Sequence, residues 1–386
     1  MNLFLIAGEA SGDALGAALM AGLKHLVPGV RFEGVGGPLM EAEGVESRFP
    51  MEELSVMGLM EVLPKYRHLK RRIRETAEAV AASRPDALIT IDSPDFTLRV
   101  ARAARALWPE LRTVHYVAPS VWAWRPGRAA KMAPIIDHVL ALLPFEPPYM
   151  EAAGMTCDFV GHPVAAMPVA SSQEAHAFRA RHGIAPDAPL ALCLPGSRKG
   201  EVSRLGPRFG AALELVAREV PGLAVAIPTV RGVAAMVREM TAAWTPRPIV
   251  VEGAERPAAY AAANVALAAS GTVSLELAAH AVPMVIGYDF NPVSRFILRR
   301  IVRHDTVTLV NLVSDTRAVP EFLGERCNPE ALAGAVRRLF KDPAARTEQQ
   351  AAMALTMDRL GRGGEPPGHR AARSVLRAIG GEGRSA

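Results

Sequence analysis

Cysteine is scarce in this 386-residue chain: Cys157, Cys193 and Cys327 are the only three, and they lie far apart. They offer neither a disulfide framework nor a paired metal-ligand spacing, so no metal is expected. Aromatic residues are also few, 5% of the total. The basic residues are not interleaved with stacking rings, which argues against a nucleic-acid partner. No apolar run approaches the ~20 residues that span a bilayer. Neither sign of charge dominates: 44 Lys and Arg against 39 Asp and Glu leave a net +5, which suits an anionic partner without naming one. The opening Met1-Asn2-Leu3-Phe4-Leu5-Ile6-Ala7-Gly8 lacks the basic start and long apolar stretch of a signal peptide. It reads as the first β-strand of a cytoplasmic protein. The Gly-x-Gly-x-x-Gly fingerprint of dinucleotide binding is absent too.

What is present is a globular pattern, with half of the residues hydrophobic and length enough for two domains. Short apolar runs alternate with helical periodicity, which predicts parallel sheets wound by helices. The boundaries read as 1–165 for a first domain, 166–360 for a second, and 361–386 for a tail whose basic helix packs back on the first. Ala165 to Pro189, rich in Ala, Ser and Pro, reads as the connector.

Two stretches of the first half carry carboxylates at strand ends. Strand Leu3–Ala7 runs into Gly8-Glu9-Ala10-Ser11-Gly12-Asp13, where small residues let backbone approach closely. Glu9 would repel a phosphate there and suits a sugar hydroxyl; it reads equally as a solvated or capping carboxylate. Strand Ala87–Ile91 ends in Asp92-Ser93-Pro94, with Ser93 the expected helix cap and Pro94 the first helical residue. Asp92 thus stands at the carboxyl end of a strand, where open α/β sheets place ligands. A carboxylate there can take a proton from an attacking hydroxyl. The loop from Ala118 to Arg128 holds Trp122 and Trp124 beside arginines, as loops that bind or seal something do. Between these, Met57 to Arg74 sets an apolar stripe (Val62, Leu63, Leu69, Ile73) beside dense basic charge that includes Arg71 and Arg72. That is the pattern of a helix lying on an anionic membrane, and equally of a core-facing helix with a solvated face. Pro64 is expected to end or kink it.

The second half offers two anion-binding turns. Strand Leu190–Leu194 breaks at Pro195-Gly196-Ser197, and a long helix follows; free N–H groups and the helix dipole face the turn, and Arg198 adds a planar fork for phosphate. Strand Val265–Ala269 meets Ser270-Gly271-Thr272 and another helix, whose Glu276 suits two ribose hydroxyls. One pyrophosphate could bridge both turns. Asn311 interrupts an apolar run, and a buried Asn must be paired or touch ligand. Acceptor features in one domain and phosphate turns in the other suggest nucleotide-sugar transfer in a cleft.

These residues fall in a familiar order. Ala7-Gly8-Glu9-Ala10-Ser11-Gly12-Asp13, Val56-Met57-Gly58, Ile91-Asp92-Ser93-Pro94-Asp95-Phe96, His115 through Arg125, Gly161-His162-Pro163, Leu194-Pro195-Gly196-Ser197-Arg198 and Ala269-Ser270-Gly271-Thr272 resemble the lipid-A-disaccharide synthases. The resemblance implies two Rossmann-like domains facing a cleft, the GT-B type of glycosyltransferase fold. It implies transfer from UDP-2,3-diacylglucosamine to 2,3-diacylglucosamine 1-phosphate (lipid X). The product is a β(1→6) disaccharide, with inversion and release of UDP. No cofactor is implied, and the setting is the inner face of the cytoplasmic membrane, with a homodimer left open. On this reading Asp92 is the base and Glu9 a second catalytic or orienting carboxylate. Ser197, Arg198, Ser270, Gly271, Thr272, Glu276 and Asn311 bind the UDP-sugar, while Ser11, Met57, Ser120 and Trp122 line the acceptor side. Two departures stand out: Val310 replaces a frequent proline, and Val164-Ala165-Ala166 replaces an acidic residue after Gly-His-Pro. The rivals are a UDP-N-acetylglucosamine 2-epimerase or another UDP-sugar enzyme of the same fold, and a non-catalytic membrane-associated nucleotide-binding protein.

Overall fold

The structure is a computed structural model describing residues 1–54, 59–122, 127–289 and 305–380, with the side chains of 59–66 outside the description. The chain forms two compact units, Met1–Ala166 with Gly363–Ala386, and Met167–Arg362.

The first unit holds a seven-stranded sheet. Its strands are β1 Asn2–Ala7, β2 Arg31–Val35, β3 Glu46–Ser47, β4 Ala87–Ile91, β5 Thr113–Tyr116, β6 His138–Ala141 and β7 Thr156–Phe159. Every paired neighbour is parallel, in the order β3-β2-β1-β4-β5-β6-β7. A parallel sheet is covered on both faces, so its central strands β1 and β4 are near-continuous apolar runs, while the edge strands carry polar residues such as Glu46 and Asp158. The two-residue alternation sends Phe4, Ile6 and Leu88 to one buried cluster and Leu3, Leu5, Ile89 and Ile91 to the other.

Two features complete this unit, the first unforeseen in the motifs and the second in line with the expected return of the last helix. Asp13 is buried, and its carboxylate accepts the Gly37, Leu39 and Met40 N–H groups at 2.9–3.0 Å, capping the short Pro38–Ala42 helix. The last helix, Pro367–Gly380, lies against the first, Ala10–Leu26. A Cβ on Gly22 would sit 2.6 Å from the Gly368 carbonyl oxygen, so only glycine allows this approach. Ser374 joins the buried His138 (2.7 Å) and donates to Asp158 (2.6 Å), which Arg377 also reaches at 2.7 Å. The helix Leu59–Ser83 does not end at position 64, one of the two effects expected of Pro64.

The second unit repeats the scheme with six strands: β8 Leu190–Leu194, β9 Ala224–Pro228, β10 Ile249–Val251, β11 Val265–Ala269, β12 Met284–Tyr288 and β13 Glu321–Leu323. Their order is β10-β9-β8-β11-β12-β13, again parallel. Ala191, Cys193, Leu267 and Val285 pack with Leu205, Phe209 and Leu213 of the Lys199–Ala217 helix. The helix expected from Asn291 lies outside the described residues.

In each sheet the strand order reverses once, between β1 and β4 and between β8 and β11. Successive connections leave toward opposite sides there, opening a crevice at the carboxyl ends of the two strands.

Candidate active site

The β1 and β4 turns bring the two candidate carboxylates to the first reversal. Ala7 and Ile91, the last residues of the two strands, are register partners. Gly8 is packed so closely that an added Cβ would lie 2.6 Å from Ser93 Oγ. Glu9 follows in extended backbone (φ −157°) and opens the Ala10–Leu26 helix, with no cap bond from its side chain. Ser11 is exposed in the first turn of that helix.

Across from it, Asp92 and Ser93 both adopt left-handed backbone, with φ of 50° and 43°. Each such non-glycine residue costs on the order of 1–3 kcal/mol, and consecutive ones persist only where the surroundings fix them. The fixing bonds are here: Asp92 N–H donates to the Tyr116 carbonyl (3.0 Å), Thr97 Oγ1 donates to the Asp92 carbonyl (2.8 Å), and Asp92 Oδ1 accepts the Ser93 N–H (2.8 Å). Ser93 does not cap the Pro94–Leu107 helix through its side chain, contrary to the sequence expectation, because its left-handed backbone removes it from the extended cap geometry.

Two neighbours of this site were not singled out from the sequence. His115, fully buried, meets Thr90 Oγ1 at 2.8 Å; burial pushes its imidazole down to about 4 against the pull of the Asp92 charge, so it is neutral at pH 7. Glu146 is buried as well. It accepts the Leu143 N–H (3.0 Å), the Leu142 N–H (3.2 Å) and the Trp122 indole N–H (3.4 Å), and burial pushes it up to about 7 against those donors. Trp122 meets Phe145 edge-on at 5.3 Å. Val117, which opens this loop, is also left-handed (φ 87°), and Ser120 is exposed on it. The available signal was an acid shortly after a strand end and before Pro147-Pro148, the same placement that marked Asp92.

At the second reversal, Gly196 (φ 119°) turns the chain from β8 into the Lys199–Ala217 helix, leaving Ser197 and Arg198 exposed. Beside it, after β11, Ser270 is half-buried while Gly271 (φ 152°) and Thr272 are exposed. Glu276 lies one turn into the next helix, Val273–Ala279. Its Oε2 accepts from Arg256 and from the Tyr260 hydroxyl, each at 3.1 Å, and its side chain keeps 26% of its surface exposed. Two hydrogen-bonded partners hold this carboxylate in place at the surface.

Asn311 takes the structural of its two alternatives. It is buried, donates to Thr306 Oγ1 (3.2 Å) and the Val319 carbonyl (2.9 Å), and accepts the Val319 N–H (3.0 Å). Its polar atoms are spent on the chain itself, so it is withdrawn as a ligand contact.

The family model for lipid-A-disaccharide synthetase matches residues 3–370. The lipid-A-disaccharide synthase of Ruegeria pomeroyi is 60% identical over 97% of this chain and 95% of its own length. That of Rhodospirillum centenum is 50% identical over 98% and 94%. The chain belongs to the lipid-A-disaccharide synthase family. It is a glycosyltransferase of lipid A biosynthesis. Its fold is shared more widely, and is the GT-B type. A UDP-GlcNAc 2-epimerase from Neisseria meningitidis, bound to UDP-GlcNAc, superposes with a TM-score of 0.65 at 11% identity, covering 98% of this chain and 99% of that one. The calicheamicin glycosyltransferase CalG4 gives 0.57 at 18% identity, covering 99% of each. Fold alone therefore does not separate epimerase from transferase; the sequence relatives do.

Lipid-A-disaccharide synthase membership draws attention to the Leu59–Ser83 helix, and there the structure divides the expected surface. Ile73 packs against the core of the first unit. Arg72 pairs with Glu53 (2.8 and 2.9 Å) and Glu75 (3.1 Å), and its guanidinium lies over Phe49 at 4.5 Å. Both serve the fold rather than a docking face, because the same helix must also cover the sheet. Leu69 is half-buried. Arg71 stays exposed, with Arg67, Lys70 and Arg74 at helical spacing beside it. Val62, Leu63 and Met57 lie outside the described side chains. Among the described residues no helix is long and apolar enough to cross a membrane.

Proposed function

We propose a division of labour for the transfer of 2,3-diacylglucosamine from UDP-2,3-diacylglucosamine to 2,3-diacylglucosamine 1-phosphate. The reversal of the first sheet serves the acceptor, and that of the second serves the nucleotide. Asp92 takes the proton of the attacking 6-hydroxyl as its oxygen bonds to the anomeric carbon. The bond to UDP breaks on the opposite face, so the α-linked donor becomes a β(1→6) product. Glu9 orients the acceptor sugar, beside the loop bearing Ser120 and Trp122.

The leaving diphosphate gains charge as the bond breaks. Arg198, the Ser197 N–H and the hydroxyls of Ser270 and Thr272 stabilise it, with Gly271 admitting it close to backbone. Glu276, steadied by Arg256 and Tyr260, accepts from the ribose hydroxyls. The Neisseria epimerase, which shares the fold and is bound to UDP-GlcNAc, supports a UDP-sugar as the ligand. The observation that carries the reading is the pairing of two strand-order reversals, one lined by carboxylates and one by glycine-and-hydroxyl turns.

UDP release is the test, measured with and without the acceptor for wild type and Asp92→Asn. Acceptor-dependent release that collapses in the variant is expected. Release that ignores the acceptor would mark a hydrolase, and tight UDP binding with no release a binding protein.

We further propose peripheral association with an anionic membrane, at the cytoplasmic face of the inner membrane, where the acylated substrates reside. The exposed stripe of Arg67, Lys70, Arg71 and Arg74 supports it, since each basic residue near such a surface contributes about 1 kcal/mol. Changing these four to glutamate should abolish sedimentation with phosphatidylglycerol vesicles at low salt. Unchanged sedimentation would refute the docking face.

A further inference from the structure

The turn after β8 already cradles an anion, and it belongs to the chain. Glu201 lies at the third position of the Lys199–Ala217 helix and reaches back over the turn. Its Oε2 accepts the Ser197 N–H at 3.3 Å. Its Oε1 receives an Arg198 guanidinium N–H at 3.4 Å and the Tyr288 hydroxyl, from the end of β12, at 3.5 Å. Gly196 makes the room: a Cβ there would lie 2.6 Å from both Glu201 Cβ and Oε2. The Glu201 side chain is only 15% exposed, although Ser197 to Gly200 around it are exposed.

A glutamate at the third helical position is a familiar cap, but a capping box sends its bond to the residue just before the helix. Here the bond skips Arg198 and goes to Ser197, the residue that carries the anion-facing N–H. A backbone amide and a guanidinium from adjacent residues of the turn, and a phenol from the end of β12, converge on one carboxylate. That donor set would equally hold a phosphate oxygen. A carboxylate and a diphosphate cannot both fill it, because two like charges would share the same donors.

We infer that Glu201 is an internal stand-in for the donor diphosphate. It occupies the turn when no nucleotide is bound, swings outward when one arrives, and thereby weakens donor binding. The donor competes with a tethered anion at every turnover, which eases release of UDP after transfer. This inference rests on the donor reading of the turn given above.

Glutamine separates the charge from the cap, since its amide oxygen still accepts the Ser197 N–H. Titration calorimetry of wild type, Glu201→Gln and Glu201→Ala with UDP and with uridine, at low and high salt, is the experiment. Glu201→Gln should bind UDP about five-fold more tightly at low salt, with the gain shrinking as salt rises. Uridine, which has no diphosphate, should bind all three alike. Glu201→Ala should reproduce the gain, with thermal melting as the check on its fold. UDP binding unchanged in Glu201→Gln would make Glu201 a cap alone and overturn the inference. Weaker UDP binding would show instead that the carboxylate aims Arg198 at the ligand, and would overturn it too. A wild type that binds no UDP would overturn the donor reading itself, and the stand-in role with it.

Discussion

The two strand-order reversals solve the same geometrical problem in opposite ways. At the first, positive φ is forced on residues with side chains, Asp92 and Ser93, as it is on Val117 at the end of the next strand, β5. At the second it falls to Gly196 and Gly271. Glycine adopts these conformations without penalty and leaves backbone N–H groups open to a ligand, which is what a phosphate needs. A side chain that must be held at one angle cannot be a glycine, so the first unit accepts strain and fixes it with hydrogen bonds. The difference separates a site that places a functional group from a site that offers its backbone.

That contrast can be broken by exchanging the devices. The largest effect is expected for Asp92→Asn, which leaves the turn in place but removes the base. The turnover number should fall about 10³-fold, within the range for general base catalysis, with UDP affinity unchanged. A loss confined to UDP binding would make Asp92 a nucleotide contact and end the division between the units.

Next is Gly196→Ala, which puts a side chain where the second unit needs none. At φ 119° the new Cβ strains the turn and misaligns the Ser197 N–H that faces the diphosphate, a loss larger than the relief from displacing Glu201, so the dissociation constant for UDP should rise at least about tenfold by calorimetry. The converse change, Ser93→Gly, gives the first unit the relaxed solution. It should raise stability by about 1 kcal/mol in urea melts while lowering acceptor turnover, because Asp92 is then held less firmly. Increased stability with full activity would show that the strain has no catalytic use.

The smallest effect is a pH slope. Folded Glu146 holds its proton to about pH 7, well above its unfolded value of 4.5. The folded state therefore binds more protons between those values, and this group makes stability fall as pH rises from 4.5 to 7. His115, pushed down to about 4, acts oppositely: unfolded imidazole binds protons up to about 6.5, so its contribution rises with pH from 4 to 6.5. Subtracting the Glu146→Gln melting profile from that of wild type isolates the first. A flat difference would mean that Glu146 titrates normally.

Much of this was legible because parallel strands announce themselves. β8 and β11 are continuous apolar runs stopped by Pro-Gly and Ser-Gly, and both fall where the pattern puts them. β3 and β13 carry Glu46 and Glu321 in two or three residues, too short for any period to show, and were missed. The family was legible for a different reason, the order of several motifs at once. Site residues were harder. Asp92 and Glu9 stand at strand ends that a sequence reveals, but the strand order that brings those ends together is set by crossovers. Asn311 looked like a ligand contact because the Val319 backbone that satisfies it comes from beyond its own helix. Glu146 and His115 acquire their character from burial, which no local pattern displays.

The helix that closes the chain has a consequence for synthesis. The first unit is written in two pieces, and the second unit, Met167–Arg362, lies between them. At ordinary translation rates that interval lasts roughly 10–40 s. Throughout it, the groove on the Ala10–Leu26 helix that receives Gly368 and Ala372 stands uncovered, and His138 waits for Ser374. The nascent chain thus completes its uninterrupted half first and its interrupted half last, and the seam on the first helix is the surface a ribosome-associated chaperone would meet.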